Sequence, residues 1–212
     1  MLLYHGCSSS MLGDALKEGI VPRGDKPSSW RELPSHPGMV YLTDTYPFYY
    51  ASNSRSKEMV VFEIDGTMLD ESRLFPDEDY LVEIPTEINL QASDEHTPHQ
   101  AAIEILKQHQ QRWQDSLSCH GTCCHEGTVN PDYFTRYCVV DRVMHFGMLS
   151  WFTSPELGIE HHKKQQVFQK QLICLMFGDC SKLPGTWEKK CKARLEIEGI
   201  SVHDLRGTEE SA

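Results

Sequence analysis

The residue pattern predicts an α+β fold. Candidate strands outnumber candidate helices, and the two do not alternate along the chain as a doubly wound parallel sheet requires. With 212 residues, 39% hydrophobic and 24% charged, the composition is that of a globular chain able to bury one sizeable core.

The elements follow in order. Leu2-Leu3-Tyr4 reads as a buried strand, and Ser8-Ser9-Ser10 supplies caps for a helix through Met11, Leu12, Ala15 and Leu16. Gly19 is placed to stop that helix, with Pro22 beyond it. RGDKPSSWRELPSHPG is a Pro-, Gly- and Ser-rich loop, and strands follow at Met39 to Thr43 and Met59 to Asp65. Pro76 and Pro85 break the stretch from Asp70 to Asn89 into loops and short turns. Thr97-Pro98 starts a helix whose apolar face is Ala102, Leu106, His109, Trp113 and Leu117. A strand is expected at Tyr137 to Val143. Ser154-Pro155 opens a helix running to about Gly178, and Ile200 to His203 reads as a last short strand. The expected organisation is a core over residues 1–150 and a C-terminal helical extension over 151–212.

Charge narrows the functions. Twenty Lys and Arg against 31 Asp and Glu leave a net charge of −11, the opposite of the balance that broad, phosphate-driven nucleic-acid binding needs. The acid gathers between Glu63 and Glu95, and Lys163 to Arg194 is relatively basic. No apolar run reaches the roughly 20 residues of a membrane span, and no basic segment precedes the short apolar start. The expectation is a cytoplasmic protein without a membrane partner, its eight cysteines reduced.

Two strand ends draw attention. His5-Gly6 can aim an imidazole into a cleft while glycine lets a ligand approach the backbone, although a turn histidine would look the same. Tyr41, with Tyr46, Phe48, Tyr49 and Tyr50 close behind, can fill a core or form a slot that stacks on a flat heterocycle. No G-x-G-x-x-G or P-loop sequence is present, so a dinucleotide would be held another way.

The order YHG, EGIVPRGD, VYLTD…YYASN, VVFEID resembles the ADP-ribosyltransferase fold over about the first 65 residues, and within it the diphtheria-toxin and poly-ADP-ribose-polymerase branch with its His-Tyr-Glu triad. The resemblance implies a split two-sheet core with flanking helices and NAD as the cofactor. It matches His5, with Gly6 beside it, to the histidine that hydrogen-bonds the adenosine-side ribose. It matches Tyr41 to the tyrosine that stacks on nicotinamide, with Tyr50 closing the slot. The third member is an acid: Glu126 in CHEGTVNPDYFTRYCVV, or Asp79 in FPDEDYL. A fixed carboxylate facing the ribosyl cation stabilises the transition state more than the ground state. Arg23 suits the pyrophosphate of NAD.

The function expected is transfer of ADP-ribose from NAD to a macromolecular acceptor, protein favoured over nucleic acid, as in toxins, defence effectors or counter-defence proteins of this fold. A non-catalytic binding module and an RNA 2′-phosphotransferase-like enzyme are the alternatives. CHGTCCH holds the zinc-competent Cys119, His120, Cys123, Cys124 and His125, but no second pair has tight spacing and no metal is expected. Cys7, beside His5, reads as a small buried residue rather than a nucleophile.

Overall fold

Strand β1 (Leu2–Ser8) turns Leu3 and Cys7 to one face and Tyr4 and Gly6 to the other, the period-two alternation of an extended chain. In the computed structural model, which describes residues 1–28, 34–54, 56–84, 97–140, 158–179, 181 and 200–206, β1 lies in the middle of a seven-stranded sheet. The other strands are β2 (Met39–Thr43), β3 (Met59–Asp65), β4 (Leu74–Pro76), β5 (Thr122–Glu126), β6 (Phe134–Val140) and β7 (Ile200–Asp204). The order is β4-β5-β2-β1-β3-β6-β7, and every neighbouring pair is antiparallel. Helices α1 (Leu12–Glu18), α2 (Pro47–Ser52), α3 (Glu78–Glu83), α4 (Pro98–Ile105), α5 (Trp113–His120) and α6 (Gly158–Met176) flank it, giving an α+β fold.

The two faces of the sheet are filled differently. One carries a single continuous core: Leu3, Val40, Leu42, Phe62, Leu74, Cys123 and Phe134 come from six strands, covered by Ala15 of α1 and by Trp113 and Leu117 of α5. The other carries two separate clusters. On the β1-β3-β6 side, Tyr4, Met59, Val61 and Cys138 pack under Phe48 and Ala51 of α2 and Leu172, Ile173 and Met176 of α6. On the β2-β5-β4 side, Met39, Phe75 and Cys124 pack under Tyr80 and Leu81 of α3, Ala102 of α4, and Leu106.

The two halves meet where β1 and β2 pair, and there the ladder is nearly absent. β1 pairs with β3 at seven consecutive positions, from Leu2–Asp65 to Ser8–Met59, but with β2 at Tyr4–Thr43 alone. Where a two-sheet core is expected, the strands thus form one sheet joined at this seam by a single residue pair.

The expected helix from Thr97 to Leu117 is broken. A capping box between Thr97 and Gln100, with Pro98 in the first turn, starts α4. The chain then tightens into a 3-10 stretch, Leu106–Arg112, in which His109 leaves helical geometry (φ −110°, ψ 25°), before α5 begins. The break lets one segment serve both faces: Ala102 and Leu106 pack on one, Trp113 and Leu117 on the other, and the linking stretch packs against the short edge strand β4.

Residues 158–179 and 200–206 do more than add helix. α6 covers the β1-β3-β6 cluster, and β7 pairs with β6 from Arg136–Asp204 to Val140–Ile200, extending the same sheet. The expected start of α6 at Ser154-Pro155 and the end of the expected strand at Val143 lie outside the described residues. Arg136 secures this side: it pairs with Glu63 at 2.7 Å and with Asp179 just past α6, and the Tyr4 hydroxyl donates to Glu63 at 3.3 Å. Among the described residues, no helix is long and apolar enough to cross a membrane.

Candidate active site

Past the Tyr4–Thr43 pair, β1 and β2 part, and a side chain does the work of the missing ladder. The His5 Nδ1 hydrogen donates to the Tyr41 carbonyl at 2.9 Å. A carbonyl can only accept, so this bond fixes the tautomer with the hydrogen on Nδ1 and leaves the Nε2 lone pair as an acceptor. Burial pushes the pKa of His5 down, against the smaller effect of the Tyr41 bond, and holds the ring neutral.

The opening leads into a cleft of about 440 Å³, within the range of small-molecule sites. His5, Tyr41 and Tyr50 line it, with the acids Asp77, Glu78 and Asp79 and the imidazole of His99. It opens at the seam itself, lined by Tyr4, Gly6, Tyr41 and Thr43 of the divided face and by His5 and Cys7, which alternate with Leu3 on the other.

Tyr41 is engaged on both sides of its hydroxyl. It donates to Glu78, 2.7 Å from each carboxylate oxygen, and accepts from the His36 backbone N–H at 2.7 Å. Burial, then the negative charge of Glu78, holds the phenol protonated, well above its ordinary pKa. Glu78 is itself 3% exposed. Burial and the neighbouring Asp77 raise its carboxyl well above the usual glutamate range, and the Tyr41 bond acts in the opposite direction.

Three acids in a row reach three environments because a helix begins among them. Asp77 is the N-cap of α3: its side chain accepts from the Asp79 N–H at 3.0 Å, and burial followed by Asp79 raises its carboxyl. Glu78 turns inward to Tyr41, while the Asp79 side chain is 51% exposed at the cleft. His99, in the first turn of α4, sets its Nε2 3.4 Å from Asp79 Oδ1 and 3.8 Å from Glu78 Oε1. Tyr50 packs edge-on against Tyr49 with centroids 5.4 Å apart, and burial, then Asp77 and Asp79, holds its hydroxyl protonated.

Glu126 stands apart. Its strand position opposite Met39 puts it one alternate residue beyond Cys124, the partner of Tyr41, at the end of β5. There its half-exposed carboxylate pairs with Lys107, which lowers its pKa, and it is not among the residues lining the cleft. Of the two carboxylates singled out from sequence, the cleft therefore gathers Asp79 and leaves out Glu126.

Two other residues line the cleft for reasons of folding. Gly6 is demanded by α2: a Cβ there would fall 2.2 Å from the Pro47 carbonyl and 2.7 Å from the Ala51 nitrogen, so a helix rather than a ligand occupies the space beside it. The Arg23 guanidinium donates to the carbonyls of Gly24, Lys26 and Ser35 and uses four N–H bonds to close its own loop, which leaves one hydrogen without a partner among the described residues. Burial pushes the Cys7 thiol up to about 12, so it carries no thiolate near neutral pH. Cys123 and Cys124 point to opposite faces of β5, and among the described residues no three His, Cys, Asp or Glu side chains gather closely enough to hold a metal ion.

Glu78 and His99 were not singled out from the sequence. The only signal for Glu78 is its place inside the FPDEDYL acid run, and His99 is marked only by the Thr97-Pro98 helix start. The arrangement offers a neutral imidazole acceptor, two tyrosines and a buried carboxylate able to oppose positive charge on a bound ligand. Compared with known proteins, the chain matches no protein-family model and no curated sequence.

Proposed function

We propose that this chain is an NAD-dependent ADP-ribosyltransferase of the His-Tyr-Glu type, and that Glu78 is its acid. The observation that supports the reading is that His5 and Tyr41 share a hydrogen bond across the β1–β2 opening, while Glu78 lies on the Tyr41 hydroxyl in the same cleft. In this reading His5 Nε2 accepts from a ribose hydroxyl, and Tyr41 and Tyr50 flank the nicotinamide ring. The bond between the nicotinamide nitrogen and ribose C1′ breaks, the electron pair leaves with nicotinamide, and positive charge spreads over C1′ and the ring oxygen. Glu78 faces that charge. The acceptor's nucleophile then bonds to C1′ and gives up its proton; the negative balance of the chain favours a protein acceptor.

The test is nicotinamide release from NAD by the purified protein, alone and with cell lysate as a source of acceptor, beside His5→Ala. Release that His5→Ala abolishes supports the reading, and release seen only with lysate points to a specific acceptor. A folded protein that neither binds nor cleaves NAD under either condition refutes it.

A further inference from the structure

Glu78 sits in a setting that opposes its charge. Asp77 and Asp79 flank it on α3, Cys124 faces it from β5, and Tyr50 approaches the same acids from α2. Its hydrogen-bond donor is the neutral hydroxyl of Tyr41 on β2. Among the described residues no Lys or Arg pairs with it; the side chain able to carry positive charge beside it is His99, 3.8 Å from Glu78 Oε1 and 3.4 Å from Asp79 Oδ1.

His99 is held firmly in that place. It is 6% exposed, in the first turn of a helix whose start is locked by the Thr97–Gln100 capping box, and α4 packs on α3. Its other ring nitrogen, Nδ1, is buried and meets no hydrogen-bond partner among the described residues. A buried imidazole kept between two carboxylates, with its second nitrogen unserved, is a costly choice for a packing residue and a sensible one for an electrostatic role.

We infer that His99 is a positioning residue of this site: held between Glu78 and Asp79, it supplies the counter-charge that lets Glu78 face the reacting ribose as a carboxylate. Its part in turnover rests on the transferase reading above; the pairing itself does not. In His99→Gln, which keeps a polar side chain and removes the charge, Glu78 ionises at a pH higher by about one unit. On the acid limb of the pH profile that is about a tenfold loss of kcat, with KM for NAD held within about twofold.

The pairing is read directly by ¹³C NMR of protein labelled at the glutamate carboxyl, with the Glu78 signal assigned by its loss in Glu78→Gln. A rise of about one unit in the Glu78 titration of His99→Gln supports the inference, and an unmoved titration overturns it. The reciprocal measurement covers a His99→Gln chain that fails to fold: the His99 imidazole, followed by ¹⁵N NMR, must lose proton affinity in Glu78→Gln, and an unchanged titration again overturns the pairing. Linked titrations in a protein that leaves NAD intact sink the transferase reading and keep the pairing. Unlinked titrations in a protein that cleaves NAD do the reverse.

Discussion

The two faces of the sheet are made by the same strands, yet one carries a continuous apolar core and the other two separate clusters that part at the seam of the cleft. Alternation explains the continuous face: Leu3 and Cys7, Val40 and Leu42, and Val60, Phe62 and Ile64 are every-other-residue neighbours along their strands, with the imidazoles of His5 and His125 set among them. On the opposite face, the same alternation brings Thr43, Tyr41 and the backbone of Gly6 to the seam where β1 leaves β2. A sheet that opens on one side must satisfy its freed backbone groups some other way, and His5 does so for the Tyr41 carbonyl. The packed face and the seam where β1 and β2 part are thus built for different ends, so substitutions in the two should fail in different ways.

Emptying the continuous face should have the largest effect on folding. Phe62, with no exposure, sits 4.9 Å by ring centroid from Phe134 and 6.0 Å from Tyr137. Phe62→Ala should cost about 3–5 kcal/mol in urea denaturation. A protein that lost less than about 1 kcal/mol would show that this face is not the stabilising core.

On the divided face, Glu78→Gln should lower NAD cleavage by about two to three powers of ten, the usual consequence of removing a preorganised charged group, while the protein stays folded. The same variant carries a pH signature. Because the Glu78 carboxyl is raised in the folded protein, folding takes up a proton there. That contribution to stability is full below the ordinary glutamate pKa and is lost as pH rises through the folded-state value. The melting temperature of the native chain relative to Glu78→Gln should therefore rise as the pH is lowered toward about 4.3. A difference that stays flat, or falls, would mean that the surroundings do not raise the Glu78 carboxyl.

Gly6 joins the two faces of the comparison, since it lies in the central strand with α2 on its backbone. Gly6→Ala should cost about 1–3 kcal/mol, because the new Cβ meets backbone atoms that cannot turn aside. Glu126→Ala should change stability by less than about 0.5 kcal/mol, since Glu126 and its partner Lys107 form an exposed pair. It should leave NAD cleavage where it was.

Much of the first half of the chain was legible. Met39 to Thr43 and Met59 to Asp65 are strands at the expected limits, because β-branched and aromatic residues run there between turn residues. His5, Tyr41, Tyr50 and Asp79 share one cleft, as their strand-end and loop positions suggested. Which of Asp77, Glu78 and Asp79 turns inward was not legible, because the three acids are alike in composition and only the start of α3 decides it. The break at His109 was hidden for a related reason: the spacing of Ala102, Leu106, Trp113 and Leu117 is helical throughout, but its two ends serve opposite faces of the sheet. Periodicity records which residues are buried and is silent on what they are buried against.

As proposed above, the opening beside β1 cleaves NAD, with Glu78 as the acid. The most direct test is nicotinamide release from NAD, with lysate present, by the native chain, Glu78→Gln and Glu126→Gln side by side. Release is expected from the native chain and from Glu126→Gln at similar rates, and at least about a hundredfold less from folded Glu78→Gln. Release that survives in Glu78→Gln and disappears in Glu126→Gln would contradict it.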